Sequence, residues 1–289
     1  MSHGHVMRTW ASLTKREVVR SLSPWVSGKR ETKWSHLLRV PATCLLFGAM
    51  ACVLGKATLR DYPLGLHQTY TLTSLLVVLT VVGFGAVGLS AALIADDWST
   101  IGREHLWGTG AAIQVAARFA GMLIPAIALG AGVGVVYCHW AGAKGDRLVA
   151  PMTMFSAALL ALYAVACLAL GLAISAFVGG VRVTVYVLMG LMSLLVLLSD
   201  LPFALEDLGG FFGRAFTYLS YAFPSRYGAG AWASGLSFSP EGLGGNRGWT
   251  WSSTWTTIIG DSASLVGLIG VYLTLAILRV RRKAPHHID

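Results

Sequence analysis

The chain has 289 residues, is 55% hydrophobic and only 12% charged, and carries a formal net charge of +9. A mean hydropathy of +0.65 excludes an ordinary soluble domain. In a soluble protein the basic balance would suggest nucleic acid. In so apolar a chain it predicts orientation in a bilayer and contact with anionic membrane lipids, with no nucleic-acid partner.

Taken in chain order, residues 1–36 form a polar, basic N-terminal segment in which no cleavable signal peptide is recognisable. Within it, VMRTWASLTKREVVRSL (6–22) predicts a helix lying on the membrane. Met7, Trp10, Ala11, Thr14 and Val18 share one stripe, while Ser12, Arg16 and Arg20 face away. Ser23-Pro24 ends it, and SGKRETKWS leads to the first apolar run. Six runs are long enough to cross a bilayer as helices: 37–56, 71–95, 111–138, 152–177, 183–201 and 257–279. The second carries Gly83, Gly85 and Gly88. The third carries GAGVG (Gly130–Gly134), a small face on which another helix can pack closely, and Pro125, predicted to kink it. Arg118 lies about two turns into this run and is expected to snorkel toward the cytoplasm. The fold class expected is an all-α integral membrane protein, with a six-helix transmembrane domain over 37–279 and a basic tail over 280–289.

Residues 202–256 are too long for a turn. Their apolar stretch, FFGRAFTYLSYAFPSRYGAGAWASGL, holds Arg214, Pro224 and Arg226 and makes a poor spanning helix. It predicts a segment, over about 209–235, that dips in and returns, broken at Pro224-Ser225. A glycine-rich outer loop follows, with Trp249, Trp251 and Trp255 at the interface. Six spans put both ends on one side. The loops on that side carry well over twice as many Lys/Arg as Asp/Glu, while the other side is balanced, so both termini are expected in the cytoplasm.

Much chemistry is missing. No Asp, Glu or His falls at the centre of a run, where transporters and proton pumps place them. No Ser/His pair, Asp pair or HExxH helix is visible, so an enzyme is not expected. Cys44, Cys52, Cys138 and Cys167 follow no ligand spacing and read as small apolar residues. His3, His5, His286 and His287 could bind only stray metal. There is no GxxxxGK[ST] phosphate loop; the nearest sequence, GKAT at Gly55–Thr58, has the wrong spacing. A mover of solutes built this way needs energy from another subunit, and that subunit needs something to hold. Between the second and third runs lies ADDWSTIGREHLW (Ala95–Trp107). Asp96 and Asp97 can cap a short helix there. Trp98, Ile101 and Leu106 offer apolar anchors, and Arg103 and Glu104 charged contacts. The same composition also fits a solvated turn with interfacial tryptophans.

With these elements in order, the chain resembles the membrane-spanning half of ABC exporters of the ABCG class and the related bacterial permeases, including those fused to FHA domains. The likeness covers nearly the whole chain: an amphipathic connecting helix, two spans, a coupling helix over 96–108, then four spans with a re-entrant hairpin before the last. REHLWG (Arg103–Gly108), GLAISAF (Gly171–Phe177) and above all LSYAFPSRYGAGAW (Leu219–Trp232) are similar to family segments. The resemblance implies that Trp10, Lys15 and Arg16 belong to the connecting helix and that Asp97 helps hold the coupling helix against it. It implies that Trp98, Ile101, Arg103 and Glu104 touch the ATPase. Phe84, Gly85, Met189 and Met192 would face a central cavity at a dimer axis, and Leu201 an outer gate, although Pro202 departs from the family's double leucine. Pro224, Arg226 and Tyr227 would shape the re-entrant turn. It further implies no cofactor on this chain, ATP and Mg2+ on a separate ABC ATPase subunit, a second permease copy or paralogue as partner, and the cytoplasmic membrane of a bacterium as location. The alternative is a non-transporting membrane partner, an assembly or immunity component of an ATPase complex.

Overall fold

The computed structural model describes residues 12–15, 67–91, 93–95, 97–141, 152–178, 181–199, 210–235 and 255–283, and every regular element among them is α-helical. Beyond a helical turn at 12–15, the helices are α1 (His67–Ser90), α2 (Trp98–Leu106), α3 (Ala111–Ala141), α4 (Met152–Phe177), α5 (Val181–Leu197), α6 (Gly210–Ser220), α7 (Pro224–Gly235) and α8 (Trp255–Lys283). Of these, 111–139, Met152–Phe177 and Trp255–Lys283 are long and apolar enough to cross a membrane, and Leu75–Ser90 is a shorter apolar stretch. α5 reaches only 17 residues. The predicted run at 37–56, together with Trp10, Arg16 and Leu201, lies outside the described residues.

The three long helices mark a membrane-embedded protein, and their outer faces agree. Ile124, Ile127, Val135, Val136, Met154, Ile259, Val266, Val271, Leu275 and Leu278 are all exposed. A soluble protein seldom leaves so much apolar area uncovered, whereas hydrocarbon covers it at no cost.

α4 is the central post, touching α1, α3, α7 and α8. Small residues on several of its sides make this possible: Ala164, Ala166, Ala169, Gly171 and Ala173 are all buried. Where α3 crosses it, Gly130 and Gly134 face its backbone. A Cβ at Gly130 would stand 2.2 Å from the Leu160 carbonyl oxygen, and one at Gly134 2.8 Å from that of Ser156. The GAGVG face is therefore a helix contact, with Gly132 turned to open space. Pro125 lies inside α3 without ending it, as membrane helices tolerate. At the α1–α4 crossing the Ser90 hydroxyl donates to the Leu168 carbonyl at 2.8 Å, over the surface of Gly171. The main core follows α4, with Tyr137, Tyr163 and Trp232 among its largest fully buried members.

A candidate docking site on the short helix between α1 and α3

The chain leaves α1 at Ser90 and must turn toward α2 with its backbone polar groups covered. Ser175, near the end of α4, does this: its hydroxyl oxygen accepts from the Ile94 and Ala95 N–H groups at 2.9 and 3.0 Å. α2 then starts after Asp97. The expected cap is not formed. Asp97 occupies the N-cap position, but its side chain makes no capping bond. Its carboxylate instead lies 3.5 Å from the guanidinium of Arg118 on α3. The contact is an ion pair rather than a hydrogen bond, and it draws the carboxylate toward the buried positive charge. Asp96 lies outside the described residues.

Arg118 corrects a second expectation. Rather than snorkelling to the cytoplasm it is buried, 2% exposed, and also lies 3.9 Å from Glu104, which is 5% exposed. Its NH1 donates to the Gln114 carbonyl at 3.3 Å, and the Gln114 amide donates to the Ile101 carbonyl at 3.1 Å. A desolvated arginine needs such partners, and a carboxylate supplies the strongest.

The end of α2 is set by glycine. Gly108 has φ +82°, and two bonds reach back across it. The Gly108 N–H donates to His105 O at 2.9 Å and the Thr109 N–H to Glu104 O at 3.0 Å. This is a Schellman stop, which needs the left-handed residue that glycine supplies without a Cβ clash.

α2 is thus two-faced. Trp98, Ile101, Gly102 and Glu104 turn inward. Trp98 and Ile101 join Ile94, Ala111, Val115, Leu172, Ala176, Ala276 and Val280 in a second apolar cluster that gathers the ends of α3, α4 and α8. The Lys283 ammonium sits 4.5 Å above the Trp98 ring, a further tie to α8. Outward stand Arg103, Leu106 and Trp107, the last two 60% and 81% exposed. With Asp97 and Glu104 internal, the charge that the described residues of this segment present beside the two apolar side chains is the positive one of Arg103.

Lys15 is helical and exposed. Phe84 is 42% exposed, whereas Gly85 faces α3, where a Cβ would meet Leu129 at 2.6 Å. Met189 and Met192 lie on α5, with side chains outside the described set. The stretch expected to dip and return is two short helices, α6 and α7, separated by residues 221–223. Pro224 opens α7, a first-turn position that needs no N–H. Arg226, buried, donates to the Ser220 hydroxyl at 2.5 Å and lies 4.4 Å from the Tyr221 ring centre. The Tyr227 hydroxyl donates to Tyr221 O at 3.0 Å, and that of Tyr272 on α8 to Ala222 O. The break's carbonyls are thereby covered, and α7 is buried almost throughout. Its Trp232 donates to the Ser156 hydroxyl at 2.9 Å and meets Tyr137 edge-on.

The sequence reading missed the clamping role of Arg118, the acceptor role of Ser175 and the exposure of Trp107. One signal was available: an arginine two turns inside an apolar run, directly after a loop holding three acids. Among the described residues no cluster of His, Cys, Asp or Glu could hold a metal. No protein-family model matches the chain, and no curated protein is significantly similar to it.

Proposed function

We propose that this chain is the permease subunit of an ATP-driven exporter of the ABC type. Two copies, or this chain and a paralogue, would pair around a pore, and a separate cytoplasmic ATPase carrying ATP and Mg2+ would dock on α2. In this reading the chain has six spans, both termini are cytoplasmic, and α6–α7 form a re-entrant hairpin. ATP-driven closure of the ATPase would swing the paired spans from inward-open to outward-open, a rigid-body change. The cargo is an amphipathic or lipid-like small molecule taken from the cytoplasm or inner leaflet, since apolar helix faces offer it few charged partners.

The observation carrying this reading is the two-faced α2. A nine-residue helix between two apolar helices is anchored on one side in the protein and offers Leu106, Trp107 and Arg103 on the other. A partner surface with an apolar pocket and an acidic rim fits it. Purified from its native membrane in mild detergent, the chain should bring a stoichiometric ATPase whose hydrolysis rises when amphipathic compounds are added. Replacing Leu106 and Trp107 together by serine should weaken that association about tenfold or more, as loss of central apolar anchors does. Uphill transport by the reconstituted chain without nucleotide, or labelling of Trp107→Cys from outside the cell by an impermeant thiol reagent, would overturn the reading.

A further inference from the structure

We propose that Arg118 is a positioning residue that fastens α2 to α3 at both ends, so that the short helix and the long one move as one body. The fastening stands on geometry; its use in driving transport rests on the permease reading above.

Asp97 precedes the first residue of α2, and Glu104 lies in its last turn. They are seven residues apart, ~10 Å along a helix rising ~1.5 Å per residue. One guanidinium reaches both, with NH2 3.5 Å from Asp97 and NH1 3.9 Å from Glu104. All three side chains are buried. Between these points the Gln114 amide holds the Ile101 carbonyl at 3.1 Å, and Gln114 sits one turn before Arg118 on α3. Three successive points of α2 are therefore gripped by two residues of α3. Only arginine suits the position. Its planar, forked guanidinium spreads one charge over two nitrogens that face Asp97 and Glu104 at ion-pair distance, neither close enough for a hydrogen bond, whereas a lysine ammonium is a single point charge that must choose. Burial makes the grip stiff, because letting go strands charges away from water. A push on the outward side chains of α2 would pass into α3 without being absorbed at the loop. The Schellman stop at Gly108 shortens that loop to residues 107–110.

The test uses the full chain in lipid nanodiscs, with hydrogen exchange read at the α2 amides. Arg118→Lys keeps the charge and loses the fork. It should speed exchange across 101–109 by about tenfold, a local opening, and leave α4 and α8 amides as they were. Glu104→Gln should loosen the last turn more than the first, and Asp97→Asn the reverse. Arg118→Gln should do more than either, and if it fails to fold, the other three variants still decide. In the complex with its ATPase, Arg118→Lys should lower cargo moved per ATP hydrolysed while the ATPase still binds, which a general loss of stability would not do. Unchanged α2 exchange in a folded Arg118→Lys chain overturns the fastening. Fast α2 exchange with unaltered cargo per ATP overturns its role in transmission. Altered exchange in a chain with no ATPase companion leaves the fastening standing and removes the permease reading.

Discussion

A single methyl group decides whether α3 can cross α4. At Gly130 the Leu160 carbonyl stands where a Cβ would go, and backbone cannot swing aside as a flexible side chain can. Gly130→Ala should therefore destabilise the protein by about 1–3 kcal/mol, the usual cost of overpacking. Gly132→Ala, two residues on and facing open space, should stay within about 0.5 kcal/mol of the parent. Thermal unfolding followed by size-exclusion chromatography in detergent separates the two, and equal midpoints would refute the crossing. Ser175 is a second decisive residue. Ser175→Ala removes the acceptor of two N–H groups. Stranding buried donors costs about 1–3 kcal/mol each when water cannot reach them. The expected result is a lower midpoint and faster exchange at Ile94 and Ala95.

At the scale of the element, α2 shows how little of a helix's behaviour is its own. Its residues WSTIGREHL include a glycine in the middle and no capping bond at the start, so in isolation it would be marginal. Its stability comes from Arg118, from the cluster under Trp98 and Ile101, and from the glycine stop. Gly108→Val forces a branched residue into the left-handed region and should cost about 1–2 kcal/mol. The loss should be confined to α2 and residues 107–110, read as increased amide exchange there with no change in α4. Part of α2 was legible from the sequence: its short length and the glycine after REHLW; that Trp98 and Ile101 pack into this chain's own core, leaving Leu106 outside, was not. Nor was it legible which acids face outward. Helical spacing places Asp97, Ile101 and Glu104 on one side, but it does not say whether that side meets solvent or an arginine from the next helix. α6 and α7 repeat the lesson. Pro224 and the arginine within an apolar stretch announced a broken element, whereas the closure of the break by Tyr227 and Tyr272 depends on α8 arriving beside it.

For the whole molecule, the governing feature is the contrast between a densely packed α4 and the apolar outer faces of α3 and α8. Such a body needs hydrocarbon around it and leaves only its ends to aqueous partners. On the α2 side, Arg103, Leu106, Trp107 and the exposed Arg281 and Arg282 at the end of α8 are on offer. If the proposed ATPase docks on this side, it should protect Trp107→Cys from alkylation in inverted vesicles, and stripping it should restore labelling. Labelling that is indifferent to the ATPase would move the docking surface elsewhere.

Sequence by itself determined the class of this protein. Hydropathy and run length are local properties, and a chain with these apolar runs has no stable alternative to helices in a membrane. It also marked the break before Pro224 and the stop at Gly108, because proline and glycine act within a turn or two of themselves, although Pro125 and Gly102 lie inside unbroken helices. Tertiary structure alone decided the partners. Asp97 and Glu104 meet Arg118 because α3 presents that face to α2, Ser175 covers the loop because α4 ends beneath it, and Gly130 is indispensable because α4 crosses there. Contacts of this kind depend on the orientation of whole helices, which no stretch of neighbouring residues encodes.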